Sequence, residues 1–198
     1  MPPLAKKARN VPDCAPDGQM MDDTQISKFL SYVLRHRPDS IGLTPDTQGW
    51  VQVADLLRLA AAHGRVFSEA RLRGVVANND KQRFTLQGGR IRAAQGHSAP
   101  QIAIAHRVCE PPPVLFHGTV ARFLPAIRAQ GLRAGTRHHV HLSDDYDMAV
   151  KVGQRRGKAV VLRVDAAAMR SAGYVFYRAD NGVWLADGVP PDFLKDFP

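Results

Sequence analysis

The chain has 198 residues, 44% of them hydrophobic and 23% charged, enough for one larger domain or two small ones that close their own cores. That composition excludes collagen-like and largely disordered chains. No apolar run approaches the roughly 18 residues of a membrane span, and the N-terminal MPPLAKKARN lacks the apolar stretch of a secretory signal, so a cytoplasmic protein is expected. Cys14 and Cys109 stand too far apart for a disulfide scaffold or a paired zinc spacing, and nothing requires a protein partner. The 27 basic and 18 acidic residues leave a net charge of +9, spread almost evenly over the two halves and weighted to Arg. Because the guanidinium fork matches phosphate bidentately, this balance points to an anionic partner such as nucleic acid or a phosphorylated ligand.

Residues 1–21 lack an apolar period and are expected to form a disordered leader. From Thr24, Ile26, Phe29, Leu30, Val33 and Leu34 repeat at helical spacing and stop before Pro38, with Lys28, Tyr32 and Arg35 opposite. A turn at 46–49 precedes a short strand at Trp50, Val51 and Val53, then a helix over 54–62. A second helix begins near Ser68 and runs to about Val76, and 83–86 with 90–94 flank Gly88 and Gly89 as a hairpin. Helices followed by a two-stranded wing suggest a winged-helix module over 22–98. Pro111, Pro112 and Pro113 mark 99–113 as linker. The remainder, 114–198, reads as a small α+β unit: strand 114–116, helix 121–130, strand 139–142, helix 144–153, then strands at 159–164, 174–177 and 183–185.

Arg35, His36 and Arg37 end the first helix, where a cation also suits the helix dipole. Arg90 and Arg92 share one strand face, and QGHS at 95–98, with His97, follows directly. Downstream, His117, Gly118 and Thr119 close an apolar strand, and Gly118 is expected to let a ligand approach the backbone. His139 and His141 share a sheet face. Together with His117 they invite a metal reading, but no HExxH or CxxC accompanies them, so no metal is expected. Arg155 and Arg156 suit a pyrophosphate or a helix dipole equally. The chain holds two glutamates, Glu69 and Glu110, neither in the core of the second unit.

Taken together, ISKFLSYVLRHRP, IGLTPDTQGWVQVADLL, NDKQRF, IRAAQGHS, LFHGT, GLRAGTRHHVHLS, VGQRRGKAVVLRVD and NGVWLADGVPPDFL resemble the NAD-dependent RNA 2′-phosphotransferases, which complete tRNA splicing. The resemblance spans roughly residues 25–195. It implies an α+β chain with a winged-helix RNA-binding lobe followed by an ADP-ribosyltransferase-like lobe. It also implies a catalytic set at Arg35, His36, Arg92 and Arg155, with Lys28, Arg90 and His97 on the RNA phosphates. NAD, as co-substrate, is expected at His117, Gly118, Thr119, Arg137, His139, His141 and Ser143. Arg156 stands where the family often has His and is left outside the catalytic set. The implied partners are RNA carrying an internal 2′-phosphate and NAD. Two rival readings stand beside it: a transferase that uses the same second lobe to place ADP-ribose on protein or nucleic-acid phosphate ends and stops there, with no need of the first-lobe phosphate set, and a winged-helix regulator with a small-molecule sensor.

Overall fold

A computed structural model describes residues 21–196. The expected leader lies outside the described residues except for Met21, which is buried, and Cys14 lies outside them too. The chain is mixed helix and sheet, with two hydrophobic clusters, one built from residues 21–93 and the other from 109–194.

Helix α1 (Asp23–Arg35) starts at a capping box in which the Asp22 carboxylate accepts from the Gln25 amide and Gln25 reaches back to the Asp22 amide. Its buried face, Ile26, Leu30, Val33 and Leu34, follows the i, i+4, i+7, i+8 pattern, and each residue contributes about 1.5–3 kcal/mol by leaving water. The chain then turns through Pro38–Ile41 into strand β1 (Val51–Gln52), helix α2 (Val53–Ala62) and helix α3 (Glu69–Ala77). Strands β2 (Phe84–Gln87) and β3 (Arg90–Ala93) form the expected hairpin, and β1 adds on the far side of β3. Gly88 and Gly89 both take positive φ, +55° and +73°, which a two-residue hairpin turn of this hand requires. Val53, expected in the strand, instead opens α2, with its amide donating to the Gly89 carbonyl.

Residues 99–113 carry more structure than their prolines suggest. The Ser98 and Ala99 amides donate to the Arg35 carbonyl, the Ala103 amide donates to Thr47, and Ile102 is fully buried. Strand β4 (Arg107–Val108) lies inside this stretch.

Beyond it run β5 (Val114–Val120), α4 (Leu124–Gln130), β6 (Leu132–Arg133), β7 (Val140–Leu142), α5 (Tyr146–Gly153) and a 3-10 turn, Gln154–Arg156. Then follow β8 (Ala159–Asp165), α6 (Ala166–Ser171), β9 (Tyr177–Arg178), β10 (Trp184–Ala186), β11 (Gly188–Val189) and β12 (Leu194–Asp196). The strands form the sheets β4-β9-β10-β7, β12-β8-β5 and β11-β6, and a Phe116 to Ser143 bridge links the first two. The strand expected at 174–177 is shorter because the chain first folds as α6, capped by the Asp165 carboxylate on the Ala168 amide, and the Tyr174 amide stays bonded to Met169.

Candidate active site at the seam between the two halves

Helix α1 delivers Arg35 at its last turn, onto the seam where residues 95–106 and the second half meet the first. The Arg35 Nη2 donates to the Arg83 carbonyl at 3.4 Å, while Nε is buried with no hydrogen-bond partner. Desolvation, with the Arg83 and Arg137 charges close by, lowers the Arg35 guanidinium to about 10, so it stays cationic at neutral pH. His36 caps the helix and is exposed. Its Nδ1 lies 2.9 Å from Ser98 Oγ, which ties the helix end to the QGHS segment.

Strand alternation puts Arg90 and Arg92 on one face of β3, where both guanidinium groups sit over the Trp50 ring, at 5.2 and 4.6 Å. Arg90 stays half-exposed, 4.0 Å from Asp46. Arg92 is held harder. Its Nη2 donates to Asp180 Oδ2 at 2.6 Å, its Nη1 approaches the Gln48 carbonyl at 3.4 Å, and its Nε is buried without a partner. Next to Asp180, Asn181 Nδ2 donates to the Lys81 carbonyl, so the turn between β9 and β10 is fastened to the hairpin region of the first half. Sequence reasoning missed Asp180 and Asn181 because their partners are 88 and 100 residues away; only the turn-forming Asp-Asn-Gly run marked the place.

Arg155 stands exposed on the 3-10 turn after α5; burial first, and then the Arg155 charge, lowers both Lys81 and Arg83. Burial, followed by the charges of Arg156 and Arg155, likewise lowers Arg137. Arg35, Lys81, Arg83, Arg137, Arg155 and Arg156 therefore form a chain of mutually repelling cations across the seam, an arrangement an anion stabilises. The sequence marks neither Lys81 nor Arg83 as a site residue; Arg83 stands out only as the start of a hairpin strand.

Arg137 Nη1 donates to His141 Nδ1 at 2.9 Å, which fixes the neutral tautomer with its proton on Nε2; burial and the Arg137 charge lower His141 to about 3. His117 donates from Nδ1 to the His141 carbonyl, and burial depresses it as well. Thr119 is buried, and Ser143 Oγ accepts from the Asp145 amide at the entry to α5. His139 lies 3.6 Å from Asp187 and packs edge-on to His106. Gly118 has a packing reason of its own: a Cβ there would fall 1.8 Å from the Ala149 carbonyl oxygen, so the backbone that approaches it is helix α5. Lys28 sits on the exposed face of α1, two turns or about 10 Å before Arg35.

Five buried side-chain polar atoms among the described residues lack a hydrogen-bond partner: Arg35 Nε, Arg92 Nε, Gln95 Oε1, His97 Nε2 and Asn181 Oδ1. All five lie on or flank this seam, which concentrates there the unmet polar demand that a ligand would satisfy. Both glutamates are engaged elsewhere, Glu69 with Arg73 and Glu110 with Arg170.

The family described as RNA 2'-phosphotransferase, Tpt1 / KptA family, matches residues 21–188, both halves and the whole seam. The chain belongs to this family. Among its relatives, a "Probable RNA 2'-phosphotransferase" of Agrobacterium fabrum is 59% identical over 173 residues, 86% of this chain and 92% of that protein. Proteins with the same description from Streptomyces coelicolor and Pectobacterium atrosepticum are 56% and 49% identical, covering 88% of this chain and 94% and 98% of their own lengths. The resemblance read from the sequence is thereby established, and every expected site residue from Lys28 to Arg155 falls inside the matched region.

Proposed function

We propose that this protein removes an internal 2′-phosphate from RNA by transferring it to NAD. The observation that carries the reading is the seam itself: basic groups from both halves converge where no glutamate stands, beside the unpartnered Nε atoms of Arg35 and Arg92. Such a set suits a nucleophile that is already an anion and needs orientation and charge screening rather than a general base.

In this reading the first half, a winged-helix module, presents the RNA, and the second half, an ADP-ribosyltransferase-like unit, holds NAD. Arg35, His36 and Arg92 grip the 2′-phosphate, while Arg155 reaches the cofactor pyrophosphate or the transferred phosphoryl group. Of the residues expected to hold NAD, Arg137 suits the dinucleotide's charge, since with Arg156 it lies near His117, and beside them the Phe116 and Tyr146 rings meet edge to face at the head of α5. A 2′-phosphate oxygen attacks C1″ of the nicotinamide ribose as its bond to nicotinamide breaks and nicotinamide leaves. The ribose 2″-hydroxyl then attacks phosphorus and the P–O2′ bond breaks. The proton of the 2″-hydroxyl is balanced by the one gained at the RNA 2′-oxygen, and His36 assists that exchange. The products are 2′-hydroxyl RNA and ADP-ribose 1″,2″-cyclic phosphate.

Incubating the purified protein with a short RNA bearing one internal 2′-phosphate, with and without NAD, tests both steps by product mass. NAD-dependent loss of the phosphate with release of nicotinamide is the expected result. RNA that keeps its phosphate and gains ADP-ribose would support a transferase that stops after the first step, and loss of phosphate without NAD would overturn the reading.

A further inference from the structure

The family resemblance implies His97 on the RNA phosphates and His139 and His141 at NAD, yet the fold brings all three into one pocket. This pocket, about 230 Å³, is walled by five imidazoles: His97 from the segment after β3, His106 ahead of β4, and His138, His139 and His141 on and before β7. Ala103, Ile104 and Leu185 supply apolar surface, and among the described residues no carboxylate, lysine or arginine lines it. His97 is 4% exposed, and its Nε2 lacks a partner. His141 has its Nδ1 occupied by Arg137 and so keeps Nε2–H as a donor.

The pocket is roomier than the ~30 Å³ share of one water. It is smaller than the roughly 300–1,000 Å³ of sites that enclose a whole drug-sized ligand. It therefore matches one ring system that belongs to a larger molecule. Each neutral imidazole offers one donor and one acceptor, which suits the mixed edge of a heterocycle and not a phosphate, which asks for donors alone. Among the described residues no group of His, Cys, Asp or Glu is arranged to hold a metal ion. Burial lowers His97 to about 3 and His106 to about 4, in keeping with neutral rings. Gly96 forms the wall shared with the phosphate site, because a Cβ there would lie 3.5 Å from His141 Cε1 and 3.8 Å from Arg35 Nη1.

We propose that this pocket receives a nucleobase, that of the 2′-phosphorylated nucleotide, turned out of the RNA stack while Arg35 beyond Gly96 holds the phosphate. The assignment rests on the reading above that Arg35 grips the 2′-phosphate. Imidazole walls with a partly apolar floor are the surroundings in which proteins hold unstacked RNA bases. The modified nucleotide must then be unpaired when it binds, and pairing it within a duplex should protect it.

The test compares RNAs that carry the internal 2′-phosphate on an intact nucleotide or on an abasic ribose. With the native protein the abasic RNA should show a KM raised about tenfold or more. Ala103→Trp, at an exposed position on the pocket wall, should raise the KM of the intact RNA by about as much while leaving the KM values of abasic RNA and of NAD unchanged; Ile104→Trp repeats the test from a neighbouring position. Equal KM values for the two RNAs with the native protein would overturn the proposal, as would variants that impair both RNAs alike. A rise confined to the KM of NAD would give the pocket to a base of the dinucleotide instead. Fluorescence anisotropy of the same RNAs without NAD decides base binding independently of turnover. If the native protein turns over no 2′-phosphorylated RNA, the functional reading fails, while the anisotropy ratio still confirms or refutes the pocket.

Discussion

Replacing Asp180 with Ala isolates the contact by which the second half orients Arg92. The pair is close, at 2.6 Å, and unevenly covered: the Arg92 side chain is 14% exposed and that of Asp180 is 45% exposed. An exposed pair of this kind is worth about 0–1 kcal/mol, whereas removing one partner of a buried pair costs about 3–5 kcal/mol. With one partner nearly buried and the other half in water, the loss should fall between these limits, about 1–3 kcal/mol. For a chain of this length that lowers Tm by roughly 2–12 °C. Trp50 and the Gln48 carbonyl still hold Arg92 after the substitution, so the guanidinium stays in place with a less defined direction. Accordingly kcat/KM for 2′-phosphorylated RNA should fall about tenfold, with the KM for NAD unchanged, and Asp180→Asn should recover part of the loss. The decisive assay is a double-mutant cycle of Asp180→Ala with Arg92→Ala, read in kcat/KM for RNA, with a coupling of at least about 1 kcal/mol expected. A coupling within about 0.5 kcal/mol of zero would show that the two act independently and would refute the positioning argument.

Three further outcomes follow from the same geometry. Arg155→Ala should slow the second chemical step more than the first, so that ADP-ribosylated RNA accumulates in a quenched time course; a uniform slowing of both steps would remove Arg155 from the transferred phosphoryl group. His97, His106 and His141 are depressed in the folded state to between about 3 and 4, against an unfolded value near 6.5, so the unfolded chain binds more protons in this window. Their stabilising contribution is fully present above about pH 6.5 and is lost as pH falls toward the folded values, by at most about 1.4 kcal/mol per pH unit for each group. Urea unfolding at pH 7, 6 and 5 should therefore show falling stability, with a shallower slope in His97→Gln, and a flat profile would contradict the assigned burial. Gly118→Ala should destabilise the ligand-free protein by about 1–3 kcal/mol or prevent folding, because its methyl meets the Ala149 carbonyl; an unchanged melting temperature would return Gly118 to a purely ligand-facing role.

Much of the fold was legible in the sequence wherever the signal is local. Helix α1 could be read from its apolar period and the Pro38 stop, and the β2–β3 hairpin from Gly88 and Gly89. The two-residue strands β6 and β11 are too short to carry a period, and α6 begins directly where β8 ends, so neither left a pattern to read. For the site, residue types and local placement drew attention to Arg35, His36, Arg92 and Arg155, while the family resemblance alone grouped them as a catalytic set and added Arg137. They could not tell that Gly118 answers to helix packing, or that His97 and His141 share a wall, since both depend on surfaces joined only by the tertiary fold.

The most direct measurement follows the phosphorus atom. An RNA labelled only in its internal 2′-phosphate is incubated with the protein and NAD, and the label is tracked among RNA, nucleotide and inorganic phosphate. Transfer at the seam predicts that the label leaves RNA as an ester of ADP-ribose, passing through an RNA-linked species and requiring NAD throughout. Label released as free phosphate at the same rate with or without NAD would contradict the account.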